Sequence, residues 1–313
     1  MNPEKNTSYA VPVAIIIAGL LFSGTTLYTS KNPPAQTQAP VQDARVSALE
    51  EAVLPSTGVV LPVTWGNMGS QLVGAGAIDA VRFKQLYVDG GSFSDEYKNL
   101  LTGTQNGKLK ITRENAGYLL NLFWALGLAS KNPVLDAGEM KNPAYGGAEN
   151  FASTAGWTMA KGDPMSHYSK HVFFTLTPQQ QVLVDKVSRG IYRPCCGNST
   201  HFPDCNHGMA MLGLLELMAS QGASEQDMWK AALAVNSYWF PDTYLTIAAY
   251  MQNKGVAWKD VQPQEMLGNS YSSAQGYASI AAQIVQPQGQ QGGGGCGVDA
   301  GVHQTQQQSG CAI

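Results

Sequence analysis

Charged residues are few in this 313-residue chain, and their signs nearly balance. Asp, Glu, Lys and Arg make up 13% of the residues, and the formal net charge is −3. Nucleic-acid binding relies on clustered Lys and Arg that neutralise phosphates, so this composition predicts no nucleic-acid partner. Hydrophobic residues reach 44%, which allows a large buried core in a chain of this length. The composition therefore predicts a globular protein.

Several motifs of well-known chemistry are also absent. The sequence contains no Gly-x-Ser-x-Gly, no Gly-x-x-x-x-Gly-Lys-Ser/Thr and no Cys-x-x-Cys. These motifs mark the nucleophile of many hydrolases, the phosphate loop of many nucleotide-binding proteins and the thiol pair of thioredoxin-like proteins. Hydrolase and nucleotide chemistry therefore have no support in the sequence, and we expect a binding function rather than an enzymatic one.

One apolar run lies near the N-terminus. It extends from Val11 to Tyr28 without a charged residue. A transmembrane helix needs about 20 apolar residues, whereas the apolar part of a cleavable signal peptide needs about 7–15. The length and the weak cleavage pattern favour a membrane anchor at 1–29, followed by a Pro/Gln-rich spacer at 30–42. The sequence predicts a single-pass membrane protein with an extracytoplasmic body, or a secreted protein if the segment is cleaved.

Helical patterns recur after the spacer. Apolar residues from Tyr118 to Leu126 recur at helical spacing, and Thr177-Pro178 is typical of a helix start. Further helices are predicted at 208–220, 224–238, 242–253 and 272–285. Strand patterns are scarce, because no pair of alternating apolar runs flanks a tight turn. The sequence predicts a mainly α, multi-helix domain at 43–285, followed by a flexible Gly/Gln-rich tail at 286–313.

Cysteine and histidine cluster in one loop of this domain, residues 194–207. Thiolates and imidazoles are preferred ligands of copper and zinc, so the loop predicts a copper or zinc site. Its candidate ligands are Cys195, Cys196, Cys205, His207 and His201. Adjacent residues of an extended segment point to opposite sides, so only one of the two neighbouring cysteines is expected to share a centre with Cys205. A turn at Gly197-Asn198 would remove that restriction.

The end of the loop adjoins the helix predicted from Gly208. Cys205 lies near the helix N-terminus, where N–H groups and the helix dipole lower a thiol pKa, so we expect it to be the most thiolate-like cysteine. Met209 and Met211 would favour copper(I), but this helix is apolar nearly all round and both are better explained as core residues. Glu216 is about 16 Å further along the axis, too far to share the centre.

Four residues elsewhere are secondary candidates. His167 and His171 are four residues apart, and Asp163-Pro164 is typical of a helix start that would place both imidazoles on one face. An exposed helix face explains this pair better than a metal site does, because the spacing alone is a weak signal. Cys296 and Cys311 in the tail are the other two, either as contributors to the site or as a disulfide that closes the tail.

Thiol chemistry is an alternative function. Thiols outside the cytoplasm tend to be oxidised, and five cysteines leave at least one unpaired within the chain. In a thiol–disulfide exchange component of envelope maturation, Cys205 would be the attacking thiolate, with Cys195 or Cys196 as the resolving thiol. A further alternative is an interaction protein in which a disulfide such as Cys196–Cys205 only staples the loop.

The residue order of the loop resembles that of small bacterial cell-envelope proteins named for a Pro-Cys-Tyr-Cys-Gly-Cys motif. Pro194-Cys195-Cys196-Gly197, then His201, then Asp204-Cys205 follow the family's order within about residues 178–240, although the tyrosine and the third cysteine of the run are missing. The loop and the two helices after it are also similar in outline to the thiol-reducing subunit of cytochrome c maturation. Both resemblances imply a cell-envelope location and envelope protein partners, and neither implies a substrate.

Overall fold

The helices of the fold follow the apolar patterns of the sequence. The computed structural model describes residues 39–284. The helices in this range are α1 Ala39–Val53, α2 Met68–Ala75, α3 Ala80–Val88, α4 Asp95–Thr102, α5 Ala116–Ala129, α6 Pro133–Ala137, α7 Ala152–Ala155, α8 Pro178–Gly190, α9 Asn206–Ser220, α10 Glu225–Trp239, α11 Pro241–Asn253, α12 Pro263–Met266, α13 Asn269–Ser272 and α14 Ala274–Ala281. Single 3-10 turns occur at Glu139–Lys141, Pro143–Tyr145, Ala148–Asn150, Pro164–Ser166 and Trp258–Asp260. The predicted mainly α fold is confirmed.

The chain divides after Ala48 into two units, and the features below belong to residues 49–284. Helix α1 begins at Ala39, inside the segment predicted as a spacer, and Pro40 is compatible with a first helical turn. The predicted anchor at 1–29 lies outside the described residues, as does the tail with Cys296 and Cys311. Between residues 39 and 284, no helix is both long and apolar enough to cross a membrane.

Two apolar helices, α5 and α9, form the centre of the core. Nearly all of their residues are buried, and the helices pack against each other along their length. They approach most closely at two glycines. A Cβ atom added at Gly213 would lie 2.6 Å from the carbonyl oxygen of Phe123, and one added at Gly127 would lie 2.0 Å from that of Met209. Only glycine leaves room for this approach of two backbones.

Side-chain caps fix the start of the helices that surround this pair. Thr177 and Gln180 form a capping box at the start of α8, with Pro178 in the first turn. Ser224 accepts a hydrogen bond from the backbone N–H of Asp227 at the start of α10. Both starts agree with the sequence prediction. Helix α8 packs on α9, so the loop between these two helices is held at both ends by the core.

A two-stranded sheet was not predicted. Strand β1, Val59–Gly66, pairs antiparallel with β2, Asn106–Ile111, and the register joins Val59 to Ile111 and Thr64 to Lys108. Residues 67–105 separate the two strands, and they contain three helices instead of a tight turn. The local hairpin signal is therefore missing from the sequence.

Candidate metal centre

The loop between α8 and α9 folds back on itself through a tight turn. The backbone N–H of Cys196 donates to the carbonyl oxygen of Arg193 at 3.3 Å, which places Pro194 at the second position of a four-residue turn. Proline favours this position because its φ angle is already set. An isolated bridge between Tyr192 and Ser199 then closes the loop. This turn brings both adjacent cysteines close to Cys205, although it precedes the Gly197-Asn198 position predicted from the sequence.

Two of the loop thiols lie at a distance that suits a shared metal ion. The Sγ atoms of Cys195 and Cys205 are 3.7 Å apart, and the three loop cysteines are free. A disulfide would require an S–S distance of about 2.05 Å. Two thiolates bound to one tetrahedral zinc ion, each at about 2.3 Å, lie about 3.8 Å apart. The observed separation therefore matches two ligands of one ion.

Two overlapping groups of ligand atoms occur in the described part of the chain. We call Cys195, Cys205 and His207 the inner group, and Cys196, Asp204 and Cys205 the outer group; within each group the ligand atoms lie within 4.8 Å of one another. Cys205 belongs to both. The inner group contains two buried residues, whereas Cys196 and Asp204 of the outer group are half-buried. Cys195 of the inner group is half-buried as well, so the inner group has one more buried residue than the outer group.

His207 has the properties of a metal ligand in a buried site. Its side chain packs against Trp239 and Phe240, with ring centroids at 5.7 Å and 4.4 Å. Its Nδ1 atom is buried and has no hydrogen-bond partner among residues 39–284. Burial, assisted by the charge of Arg193, lowers the pKa of His207 to about 3. The imidazole is therefore neutral at physiological pH and can bind a metal ion without losing a proton.

A buried arginine neutralises the outer group. The Nη2 atom of Arg193 donates to Asp204 Oδ1 at 2.6 Å, to the carbonyl oxygen of Phe202 at 3.1 Å and to Cys196 Sγ at 3.2 Å. Its side chain is fully buried, and it fits under α9 because a Cβ atom at Gly208 would lie only 2.7 Å from its Cζ. A metal ion in the outer group would stand beside this fixed positive charge. Within the described residues Arg193 donates no hydrogen bond to Cys195, Cys205 or His207.

The three thiols differ in acidity, and the order is not the predicted one. Contacts with Cys195 and Cys205 hold the pKa of Cys196 far below its ordinary value. Burial raises this pKa, and the charge of Arg193 lowers it further. The contact with Cys195 favours the Cys205 thiolate, but the contact with Cys196 and burial outweigh it and raise the pKa of Cys205 to about 11. The expectation that Cys205 is the most thiolate-like cysteine is therefore wrong, because the contact with Cys196 and the burial of the thiol raise its pKa.

His201 lies in a different environment from the thiols. Its Nε2 is 2.8 Å from Asp185 Oδ1 and its Nδ1 is 3.4 Å from Glu139 Oε1, so both ring nitrogens face carboxylates. It lines an open depression of about 450 Å³ together with Lys141, Arg189 and neighbouring residues. His201 belongs to neither ligand group. The structure thus places this fifth candidate apart from the centre for which the sequence proposed it.

The second histidine pair is in contact, but not on a helix. Only a 3-10 turn, Pro164–Ser166, forms where the sequence predicted a helix start. His167 Nδ1 lies 3.0 Å from His171 Nε2, and His167 Nε2 lies 3.0 Å from the carbonyl oxygen of Lys161. Since a carbonyl only accepts, His167 Nε2 donates to it, whereas the direction of the hydrogen bond between His167 and His171 depends on the tautomers of the two rings. Hydrogen bonding alone explains this pair, and no third ligand joins it among the described residues.

Arg193 is the functional residue that the sequence analysis missed. Arg193 and Asp204 are the only charged residues, apart from His201, between Ile191 and Cys205. Two isolated residues of opposite charge within a cysteine loop are the sequence pattern from which this ion pair could have been predicted. The predicted core roles of Met209 and Met211 agree with their complete burial.

A scan of protein-family models, a search of curated proteins and a search of solved structures each give no match to this chain. The resemblance of the loop to the cell-envelope proteins with the Pro-Cys-Tyr-Cys-Gly-Cys motif therefore stays a prediction. The function of the loop is inferred from its own geometry and chemistry.

Proposed function

We propose that this chain binds one zinc or copper ion through Cys195, Cys205 and His207. The main support for this proposal is the 3.7 Å separation of the free Cys195 and Cys205 sulfurs, which belong to one group with the buried imidazole of His207. The unpartnered Nδ1 of His207 supports it, because a buried polar atom is costly unless it gains a partner. An ion bound at Nδ1 would provide that partner.

The charges of the inner group suit a divalent ion. Two thiolates and a neutral imidazole around Zn²⁺ give a complex with no net charge, which reduces the penalty for burying the ion. Sulfur and nitrogen are also the ligands that zinc and copper prefer over oxygen-bound ions such as Mg²⁺. Three protein ligands leave a fourth tetrahedral position for another group. Cys196 is half-buried nearby, and its sulfur is a candidate ligand for that fourth position.

The proposed setting is the cell envelope. The apolar run at Val11–Tyr28 supports a membrane anchor, and the two family resemblances support an extracytoplasmic body with envelope protein partners. A metal-binding module in that position would take part in copper or zinc handling. This setting extends the proposal beyond the loop itself.

Metal analysis of the purified chain tests the proposal. The full-length chain, expressed with added zinc or copper and purified in mild detergent under reducing conditions, is expected to hold one ion per chain by mass spectrometry. Cys205→Ser is expected to lose the ion, whereas His201→Gln should retain it. His201 is a matched control because it is a buried histidine of the same loop outside both ligand groups. Absence of stoichiometric metal in the unchanged chain would contradict the proposal.

Thiol–disulfide exchange is a second candidate, favoured by the same pair of sulfurs. Cys195 and Cys205 would need to close from 3.7 Å to about 2.05 Å to form a disulfide. In this reaction one chain thiolate attacks a partner disulfide and releases a partner thiol, and a second chain thiolate then displaces the other partner thiol. The chain gains a disulfide and the partner is reduced.

Thiol mapping tests this second candidate. After incubation with oxidised glutathione, mass spectrometry is expected to find a Cys195–Cys205 disulfide and a glutathione adduct on the half-exposed Cys196. A loop in which all three thiols stay reduced would exclude it. Loss of stability without any change in thiol reactivity in the cysteine variants would instead support the stapled-loop alternative.

A further inference from the structure

The outer group and the inner group share one sulfur atom. Cys205 belongs to both groups, and the ligand atoms within each group lie within 4.8 Å of one another. Cys196 and Asp204 are half-buried, whereas Cys205 and His207 are 1% and 4% exposed. Cys195 is half-buried as well, so a metal ion that arrives from solvent or from a partner protein meets Cys196, Asp204 and Cys195 before it reaches Cys205 and His207.

The outer group is built to hold an ion only briefly. Arg193 donates to Cys196 Sγ and Asp204 Oδ1, so an ion bound between them would have to compete with a guanidinium cation. This cation cannot move aside easily, because it is fully buried, also bonded to the carbonyl oxygen of Phe202 and covered by Gly208. Within the described residues Arg193 donates no hydrogen bond to the inner group, although its charge also acts on Cys205 and His207, and the Nδ1 atom of His207 lacks a partner.

We propose that Cys196 is a transient ligand that receives the metal ion and passes it through Cys205 to the inner group. This inference rests on the proposed metal-binding function. It assigns the two adjacent cysteines different tasks: Cys195 is a resident ligand, and Cys196 sets the rate of exchange. Arg193 is a positioning residue, because its hydrogen bond to Cys196 Sγ competes with coordination of the ion by that sulfur.

The transfer is a series of ligand exchanges with no change in oxidation state. The Cys196 sulfur first bonds to the ion as one bond between the ion and its donor breaks, and the donor ligand leaves with its electron pair. The Cys205 sulfur bonds next and releases its proton to solvent. The bond to Cys196 then breaks as Cys195, which also loses its proton, and His207 bind. Cys196 returns to Arg193.

Rates of zinc exchange distinguish a transient ligand from a resident one. The full-length chain in detergent receives Zn²⁺ from the chromophoric chelator 4-(2-pyridylazo)resorcinol in a stopped-flow instrument, and release is followed by transfer to EDTA. Because entry and exit use the same path, Cys196→Ser is expected to slow both by the same factor, about tenfold or more, while Kd stays within about threefold. Cys195→Ser, the matched control, is expected to weaken Kd instead.

A second variant tests whether the slower exchange expected for Cys196→Ser is caused by the introduced serine hydroxyl group. Cys196→Ala removes the sulfur without introducing a hydroxyl group, so it is expected to slow uptake and release as Cys196→Ser does while leaving Kd within about threefold. Unaltered rates in both variants would overturn the relay. Weakening of Kd by Cys196→Ser as large as that by Cys195→Ser would also overturn it, since Cys196 would then be a resident ligand. Only a failure of the unchanged chain to bind zinc would contradict the proposed function itself.

Discussion

Glu216 carries the one carboxyl group of α9 into the core. Its side chain is completely buried, and its Oε1 accepts a hydrogen bond from the side chain of Asn132. Burial raises the pKa of this carboxyl well above 4.5, although Ser130 and Asn132 oppose the shift. The residue therefore favours its protonated, hydrogen-bonded form in the core, and it belongs to neither ligand group.

The raised pKa of Glu216 makes stability fall as pH rises. Above pH 4.5 the unfolded chain loses this proton while the folded chain keeps it. The free energy of unfolding then decreases by up to about 1.4 kcal/mol per pH unit until the folded carboxyl also ionises. Glu216→Gln removes this dependence, so we expect it to be more stable than the unchanged chain at neutral pH.

Urea unfolding at several pH values between about 5 and about 8 measures this effect. Glu149→Gln is the control, because Glu149 is an exposed carboxylate. An unchanged pH dependence in Glu216→Gln would show that the buried carboxyl does not contribute.

At the scale of the secondary-structure elements, the close crossing of α5 and α9 depends on glycine. A methyl group at position 213 would lie 2.6 Å from the Phe123 carbonyl oxygen and 2.6 Å from the Gly127 nitrogen. These neighbours are backbone atoms of a fully buried helix, so they cannot move without shifting the helix itself. Because α9 begins directly after Cys205, the same shift would also disturb the inner group.

Gly213→Ala is therefore expected to destabilise the fold by about 1–3 kcal/mol, through overpacking. Alanine has the higher helix propensity by about 1 kcal/mol, so this loss runs against local preference. Gly74→Ala in α2 is the matched control, since no atom lies within 4 Å of an added Cβ there. Thermal unfolding should show a lower Tm for Gly213→Ala and an unchanged or higher Tm for Gly74→Ala. Equal stability of both variants would refute the close crossing.

The elements that sequence patterns predicted are those fixed by local chemistry. Helices α8 and α10 start at side-chain caps, and α5 carries an apolar repeat, so each could be placed from nearby residues alone. The pairing of β1 with β2 joins segments separated by residues 67–105 and leaves no local trace. The segment of the histidine pair is not helical for a related reason, since its backbone bonds to the distant helix α5: the N–H of Ser169 donates to the carbonyl oxygen of Leu128, and the N–H of His171 donates to that of Ala129.

The candidate site was predictable in composition but not in arrangement. The clustering of cysteine and histidine identified Cys195, Cys205 and His207, because soft ligands are chemically distinctive. The exclusion of His201 depends on Asp185 and Glu139, which come from α8 and a distant turn. The acidity of Cys196 depends on its contacts with two other thiols and with a buried Arg193. These are tertiary effects that residue spacing does not encode.

At the scale of the whole molecule, the inner group joins separate parts of the fold. Cys195 lies in the loop after α8, His207 lies in α9, and the imidazole packs on Trp239 and Phe240 at the end of α10. An ion bound there would link the loop after α8 to the first turn of α9. Since the ligands come together only in the folded chain, binding should stabilise the folded state as a whole.

Zinc is therefore expected to raise the Tm of the full-length chain. At a free zinc concentration about 100 times Kd, the gain in the free energy of unfolding is about 2.7 kcal/mol. Differential scanning fluorimetry with zinc, with magnesium and with a chelator measures this shift. Magnesium should have no effect, because it prefers oxygen ligands. An equal response of the unchanged chain and Cys205→Ser to zinc would indicate that the ion binds elsewhere.

The central claim is that Cys195, Cys205 and His207 hold one metal ion. X-ray absorption at the zinc edge of the loaded full-length chain tests it most directly, because it reports the type and distance of the ligand atoms. The expected coordination shell contains two sulfur atoms at about 2.3 Å and at least one imidazole nitrogen at about 2.0–2.1 Å. Cys205→Ser should lose sulfur from this shell. A shell of oxygen and nitrogen without sulfur in the unchanged chain would contradict the claim.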